Sequence, residues 1–131
     1  MRPEFFLDRN LGRRVAEELR SRGWAVHRIG EVFPADGQHI PDEDWIAHGL
    51  RQSWVPLSKD GRIKTRDLEI RPVLDHAAVL FYLDDQQLRS IEMMQRLDTH
   101  LAAIYRAVEK GGPAAYAVRH DCIEPWIICG N

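Results

Sequence analysis

The sequence predicts a three-layer α/β/α fold with a mostly parallel central sheet of four to five strands. Two observations predict it. Short apolar runs, such as Phe5-Phe6-Leu7 and Val79–Leu83, alternate with longer stretches whose apolar residues recur every three or four positions. Strands separated by helices are joined by crossovers, which favour parallel pairing with helices on both faces. With 131 residues and no linker, repeat or low-complexity stretch, residues 1–131 read as one domain, long enough to bury a core unaided.

Each element has its own signal. Phe5–Leu7 is a short buried strand. Leu11, Val15 and Leu19, with Ala16, form the inner face of a first helix that ends at Gly23. Asn10, rather than Asp8, is placed to cap it. Ala25–Ile29 is a second strand, and residues 30–41, with Pro34, Gly37 and Pro41, read as a loop. A helix over 42–52 turns Trp45, Ile46 and Leu50 inward. Trp54–Ser58 is a third strand, irregular at Pro56 because proline gives up a ladder hydrogen bond. Pro72 breaks a helix spanning 67–77. Val79–Leu83 is a fourth strand. Leu88, Ile91, Met94, Leu97, Leu101, Ile104 and Val108 then trace one long helix, with Asp84 and Gln87 as a capping box and Gly111-Gly112-Pro113 as its end. Ala115–Arg119 is a last strand and 122–131 a short tail.

Composition excludes several classes. The chain is 44% hydrophobic and 29% charged, ordinary values for a globular protein. No apolar run reaches the length of a membrane span, and Met1-Arg2-Pro3-Glu4 opens no signal-peptide hydrophobic region. Cys122 and Cys129 form no CxxC pair, so the expectation is a reduced, cytoplasmic protein. The six histidines lack paired zinc spacing, Ser58 has no Ser-His-Asp context, and the glycines form neither a P-loop nor a dinucleotide fingerprint. A net charge of −2 argues against a general nucleic-acid binder but leaves room for a nuclease, whose acidic site lowers the total.

The acids carry the functional signal. In a parallel sheet every strand ends at one edge, each crossover helix begins there, and ligand sites lie there. Asp8 and Asp60 follow strands one and three, and Asp42 opens a helix, so topology alone sends all three to that edge; Asp84, after strand four, is a further candidate. Crowded carboxylates repel one another, and a hard divalent cation relieves the repulsion. Aspartate is also a common helix cap, and Lys59-Asp60-Gly61 is a good turn, so a capping role stays open. Lys59, Arg62, Lys64 and Arg66 form a basic group beside Asp60 that suits either substrate phosphate or a solvated loop.

The ordered set also has a likeness. Phe5-Phe6-Leu7-Asp8-Arg9-Asn10-Leu11-Gly12 resembles the opening of PIN-like domains, the fold of VapC-type toxin nucleases. Asp42-Glu43-Asp44-Trp45, followed by Trp54-Val55-Pro56-Leu57-Ser58-Lys59-Asp60-Gly61-Arg62-Ile63, is similar to the middle of a compact PIN-like subgroup, in which an acid opens a helix and an Asp follows the next strand in a Thr/Ser-x-Asp context. The resemblance implies that Asp8, Asp42 and Asp60 are catalytic and hold Mg²⁺ or Mn²⁺, and that Ser58 is the family's small hydroxyl residue. It also implies an RNA substrate, phosphodiester hydrolysis, a homodimer and a cognate antitoxin partner. Arg9 and Arg62 stand where many relatives have acids, which casts Glu43 or Asp44 as replacement carboxylates and Lys59, Arg62 and Lys64 as phosphate contacts. The same two arginines motivate the alternative, a non-catalytic PIN-like module that binds RNA or protein.

Overall fold

Alternation along the first strand divides the core in two. Phe5 and Leu7 point into one apolar layer and Phe6 into the other. The computed structural model describes residues 2–60, 67–83, 85 and 87–126. Its strands are β1 (Glu4–Leu7), β2 (Ala25–Arg28), β3 (Trp54–Ser58), β4 (Val79–Tyr82), β5 (Ala114–Val118) and β6 (Ile123–Trp126). They form one sheet in the order β2-β1-β3-β4-β5-β6, parallel except for β6. The helices are α1 (Gly12–Ser21), α2 (Ile29–Val32), α3 (Asp42–Arg51), α4 (Asp67–Asp75), α5 (Ser90–Thr99) and α6 (Leu101–Lys110). Val15, Leu19, Met94, Leu97 and Ile104 of α1, α5 and α6 cover the Phe5–Leu7 face; Trp45, Ile46, Ile70 and Val73 of α3 and α4 cover the Phe6 face. This is the three-layer α/β/α arrangement.

The sheet has one strand more than expected. The tail after Cys122 contributes β6, which pairs antiparallel with β5 from Val118↔Ile123 to Ala115↔Trp126. Its Ile123-Glu124-Pro125-Trp126 sequence lacks the apolar alternation of a half-buried strand, and most of it is exposed. It is held by the backbone partners that β5 would otherwise leave unpaired.

Pro56 behaves as its chemistry requires. Leu57 O accepts from Asp8 N at 2.9 Å on the β1 side, and Ser58 O accepts from Leu83 N at 3.0 Å on the β4 side. The same alternation turns Pro56 toward β4, and β3–β4 pairing starts only at Leu57↔Phe81.

Four local expectations change. The long helix after β4 is two helices, because His100 leaves helical geometry (φ −101°, ψ 17°) and its Nε2 lies 3.1 Å from His120 O. Its start is not at the Asp84–Gln87 box: Asp84 lies outside the described residues, and the carboxylate of Glu92 accepts from Arg89 N at 3.0 Å to begin α5 at Ser90. Pro72 sits inside an unbroken α4, where His76 N still reaches Pro72 O at 3.0 Å and Val73 is fully buried. Residues 30–41 are not a plain loop: buried Ile29 anchors α2, and a 3₁₀ turn spans Pro34–Gly37.

Candidate functional site

The first acid is fixed by two strands. Asp8 leaves β1 beside the end of β3, with its backbone N bonded to Leu57 O. Its parity matches Phe6, so its carboxylate turns toward the α3 layer. Ser58 shares that parity on β3, and its hydroxyl donates to Asp8 Oδ2 at 3.0 Å. The same hydroxyl accepts from Asp60 N at 3.0 Å. Ser58 is 0% exposed, Asp8 7% and Asp60 9%. Two strand ends thus share one buried hydroxyl.

The capping assignment at this point is corrected. Asp8, not Asn10, caps the chain's entry to α1: its Oδ1 accepts from Asn10 N at 3.4 Å, and a 3₁₀ turn over Arg9–Leu11 precedes the helix. An Asx-type contact two residues on suits aspartate at a strand end better than it suits the residue that must already be turning.

Asp42 comes from the other direction. It is the first residue of α3, after Pro41. Asp42, Glu43 and Asp44 all lie in the first turn, where the helix dipole favours negative charge. The indole Nε1 of Trp45 donates to Asp42 Oδ1 at 2.8 Å and holds that carboxylate in place. Trp45 itself is locked by burial and an edge-on contact with Phe6, ring centroids 5.7 Å apart.

The electrostatics link Asp8 and Asp42. Burial, reinforced by the Asp42 charge, pushes the Asp8 carboxyl up from 3.8 to about 6, against hydrogen bonds from Ser58 and the Asn10 and Arg9 backbone that lower it. Among the described residues no three His, Cys, Asp or Glu side chains gather closely enough to hold one ion. The acids that the structure links are Asp8 and Asp42, by charge, and Asp60, tied to the same edge through Ser58. An all-oxygen pair containing a buried carboxylate crowded by a second charge fits a hard divalent cation that keeps much of its water.

The remaining candidates divide. Glu43 is half-buried and Asp44 exposed in the first turn of α3. Lys59 is half-buried, and its Nζ reaches toward Leu88 O at 3.5 Å, just before α5. Arg62, Lys64 and Asp84 lie outside the described residues. Sequence reading gave Trp45 only a packing role, missing its bond to Asp42, and left out Arg28. The i, i+3 spacing of Asp42 and Trp45 within one helical turn was the available signal for the first. Arg28 ends β2 opposite Leu7, the residue before Asp8, and it lines a small cleft with Asp8 and Arg9.

No helix among the described residues is long and apolar enough to cross a membrane. No solved structure matches the chain. A Mycobacterium tuberculosis protein named "Putative ribonuclease VapC45" is 33% identical over 115 residues, 86% of this chain and 83% of that protein. The family model for the PIN-like domain matches residues 3–85, a span that runs from β1 through β4 and takes in Asp8, Asp42, Ser58 and Asp60. With the sheet order, the edge acids and both matches in agreement, the chain belongs to the PIN-like domain family.

Proposed function

We propose that this protein is a divalent-metal-dependent endoribonuclease that hydrolyses RNA phosphodiester bonds and acts as the toxin of a toxin–antitoxin pair. The observation that carries this reading is the buried Asp8 carboxylate, raised toward neutrality beside Asp42 and bonded to Ser58. Asp8 and Asp42 contact Mg²⁺ or Mn²⁺ directly, Asp60 joins through the ion's bound water, Glu43 or Asp44 is an additional donor and Asp84 is in reserve. When bound, such an ion polarises a phosphate oxygen and lowers the pKa of a coordinated water. Ser58 orients Asp8 and fixes the turn that carries Asp60. Lys59, Arg62 and Lys64 contribute positive charge to the substrate phosphate. A cytoplasmic homodimer bound by a cognate antitoxin completes the proposal.

The name of the mycobacterial relative supports the ribonuclease reading. RNA incubated with purified protein and Mn²⁺ should be cleaved, and Asp8→Asn should abolish cleavage. Equal cleavage by both would assign the activity elsewhere. A second reading is favoured by Arg9, which stands exposed in a position where many relatives carry an acid. In a non-catalytic binding module, calorimetry would find RNA binding without Mn²⁺ binding.

A further inference from the structure

The helix break at His100 and the turn between β5 and β6 build a groove together. On α5 the residues Glu92, Gln95, Arg96 and Thr99 recur at helical spacing, one stripe beside the buried Met93, Met94 and Leu97. Opposite them stands His120. Its turn is closed by Arg119 N, which donates to Cys122 O at 2.8 Å, and its own carbonyl oxygen lies 3.1 Å from His100 Nε2. Those four α5 residues, with Leu88 and His120, line an open groove of about 490 Å³, inside the range of roughly 300–1,000 Å³ usual for ligand sites. At about 1.5 Å per residue, α5 gives the groove a length of about 15 Å.

The groove begins beside the acids. Lys59, the chain neighbour of Asp60, sends its Nζ toward Leu88 O, 3.5 Å away. The one acid on the walls is already engaged: Glu92 Oε1 accepts from Arg89 N at 3.0 Å and from Arg89 Nε at 2.9 Å. The Glu92 carboxyl is thereby held below the usual range, first by the Arg89 backbone, then by its side chain, and least by Arg96. Arg96 is half-buried and makes no ion pair among the described residues. Gln95, Thr99 and His120 are exposed along the same groove.

We infer that this groove is a subsite for single-stranded RNA: it takes nucleotides beside the scissile phosphodiester, with Arg96 on a phosphate and Gln95, Thr99 and His120 on the bases. This inference rests on the ribonuclease reading and deepens it, because such contacts select the sequence that is cut. Unpaired RNA is recognised by stacking its bases on aromatic rings and by hydrogen bonds to their edges. The His120 imidazole and the Leu88 side chain supply faces, and the Gln95 amide and Thr99 hydroxyl supply donors and acceptors. The forked donors of a guanidinium match phosphate oxygens two at a time. A protein helix would seek an apolar trough, and of the lining residues only Leu88 is apolar.

The test uses a fluorescein-labelled hexanucleotide RNA library of random sequence and the full-length protein. In EDTA, anisotropy is followed across a salt series. Arg96→Gln should lower the salt-dependence slope by about 0.7, the value for one phosphate contact on a single strand. His120→Ala should weaken binding at least about fivefold, the low end for one lost stacking partner. That variant keeps the bond to His100, which uses the backbone carbonyl, so its thermal melt should match wild type. Arg106→Gln, at an exposed position of α6, should bind as wild type does. With Mn²⁺, Arg96→Gln and His120→Ala should raise KM more than they lower kcat, and sequencing of the cleaved ends should show a relaxed base preference in Gln95→Ala. Wild-type slope, affinity and cleavage preference in all three folded variants would overturn the subsite and leave the nuclease reading intact. Variants that bind RNA normally but lose self-association would assign the groove to a protein contact and overturn the subsite as well. A wild-type protein that binds the library without cleaving it, through a groove the variants weaken, would keep the subsite and remove the nuclease. One that neither binds nor cleaves RNA would overturn both.

Discussion

Ser58 donates to Asp8 Oδ2 at 3.0 Å across fifty residues of sequence. Because Ser58 Oγ also accepts from Asp60 N, one hydroxyl sets both the direction of a buried carboxylate and the position of the next acid. Ser58→Ala should destabilise the protein at pH 7 by about 1.5–3 kcal/mol, the range for a hydrogen bond to a charged group. Urea unfolding checks the loss, and RNA cleavage should fall with it.

Asp8 makes stability pH-dependent in a direction opposite to most acids. Its folded pKa of about 6 exceeds the unfolded 3.8, so the folded state binds the proton more tightly. The stabilising contribution is full below the unfolded value and is lost as pH rises through about 6. The ceiling is about 3 kcal/mol, from roughly two pKa units at 1.36 kcal/mol each. In EDTA, Asp8→Asn should therefore be more stable than wild type at pH 8 and indistinguishable near pH 4. Chemical denaturation at both pH values measures the difference.

Mn²⁺ should reverse that ranking. An ion that binds only the folded state stabilises by about 2.7 kcal/mol at one hundred times its Kd. Wild type should gain thermal stability on Mn²⁺ addition at pH 8, whereas Asp8→Asn and Asp42→Asn should gain little. Differential scanning fluorimetry across a Mn²⁺ series reads this directly. Equal gains in all three proteins would remove the acids from the ion site.

Trp45 positions Asp42 through its indole N–H. Trp45→Phe keeps most of the buried ring and deletes the donor. Stability should fall by about 0.5–1.5 kcal/mol, the net worth of an ordinary hydrogen bond, and Mn²⁺ affinity should weaken. Isothermal titration separates the two effects.

Gly49 lets α3 lie close against β1. A Cβ added there would stand 2.6 Å from Cδ2 of Phe6, a ring that is 0% exposed. Gly49→Ala should destabilise by about 1–3 kcal/mol through overpacking, despite alanine's preference for helices of up to about 1 kcal/mol. A urea midpoint below wild type is the expected result.

What sequence could reveal followed locality. Apolar periodicity found five strands and the faces of α1 and α3, and Pro56 announced the defect between β3 and β4, because each signal lies within a few residues. The edge positions of Asp8, Asp42 and Asp60 followed from topology, since strand and helix direction need no long-range detail. The break at His100 did not follow: its ring finds a carbonyl twenty residues later while the apolar stripe runs on unbroken. β6 was hidden for a related reason, as its pairing answers a need of β5 and leaves no pattern in its own residues. The cleft at Arg28 required the β1–β2 register, which composition does not encode.

Proline in a central strand leaves its mark beneath the acids. The β3–β4 register begins only at Leu57↔Phe81, and an open surface cleft of about 260 Å³ lies beside Trp54, Val55, Ala78 and Val79. The amide proton of Val79, which turns toward β3, should thus exchange with deuterium sooner than those of Phe5 and Phe6, which lie between two fully laddered neighbours. The end of the sheet that carries the acids is clamped, and its opposite end is where the molecule gives way first.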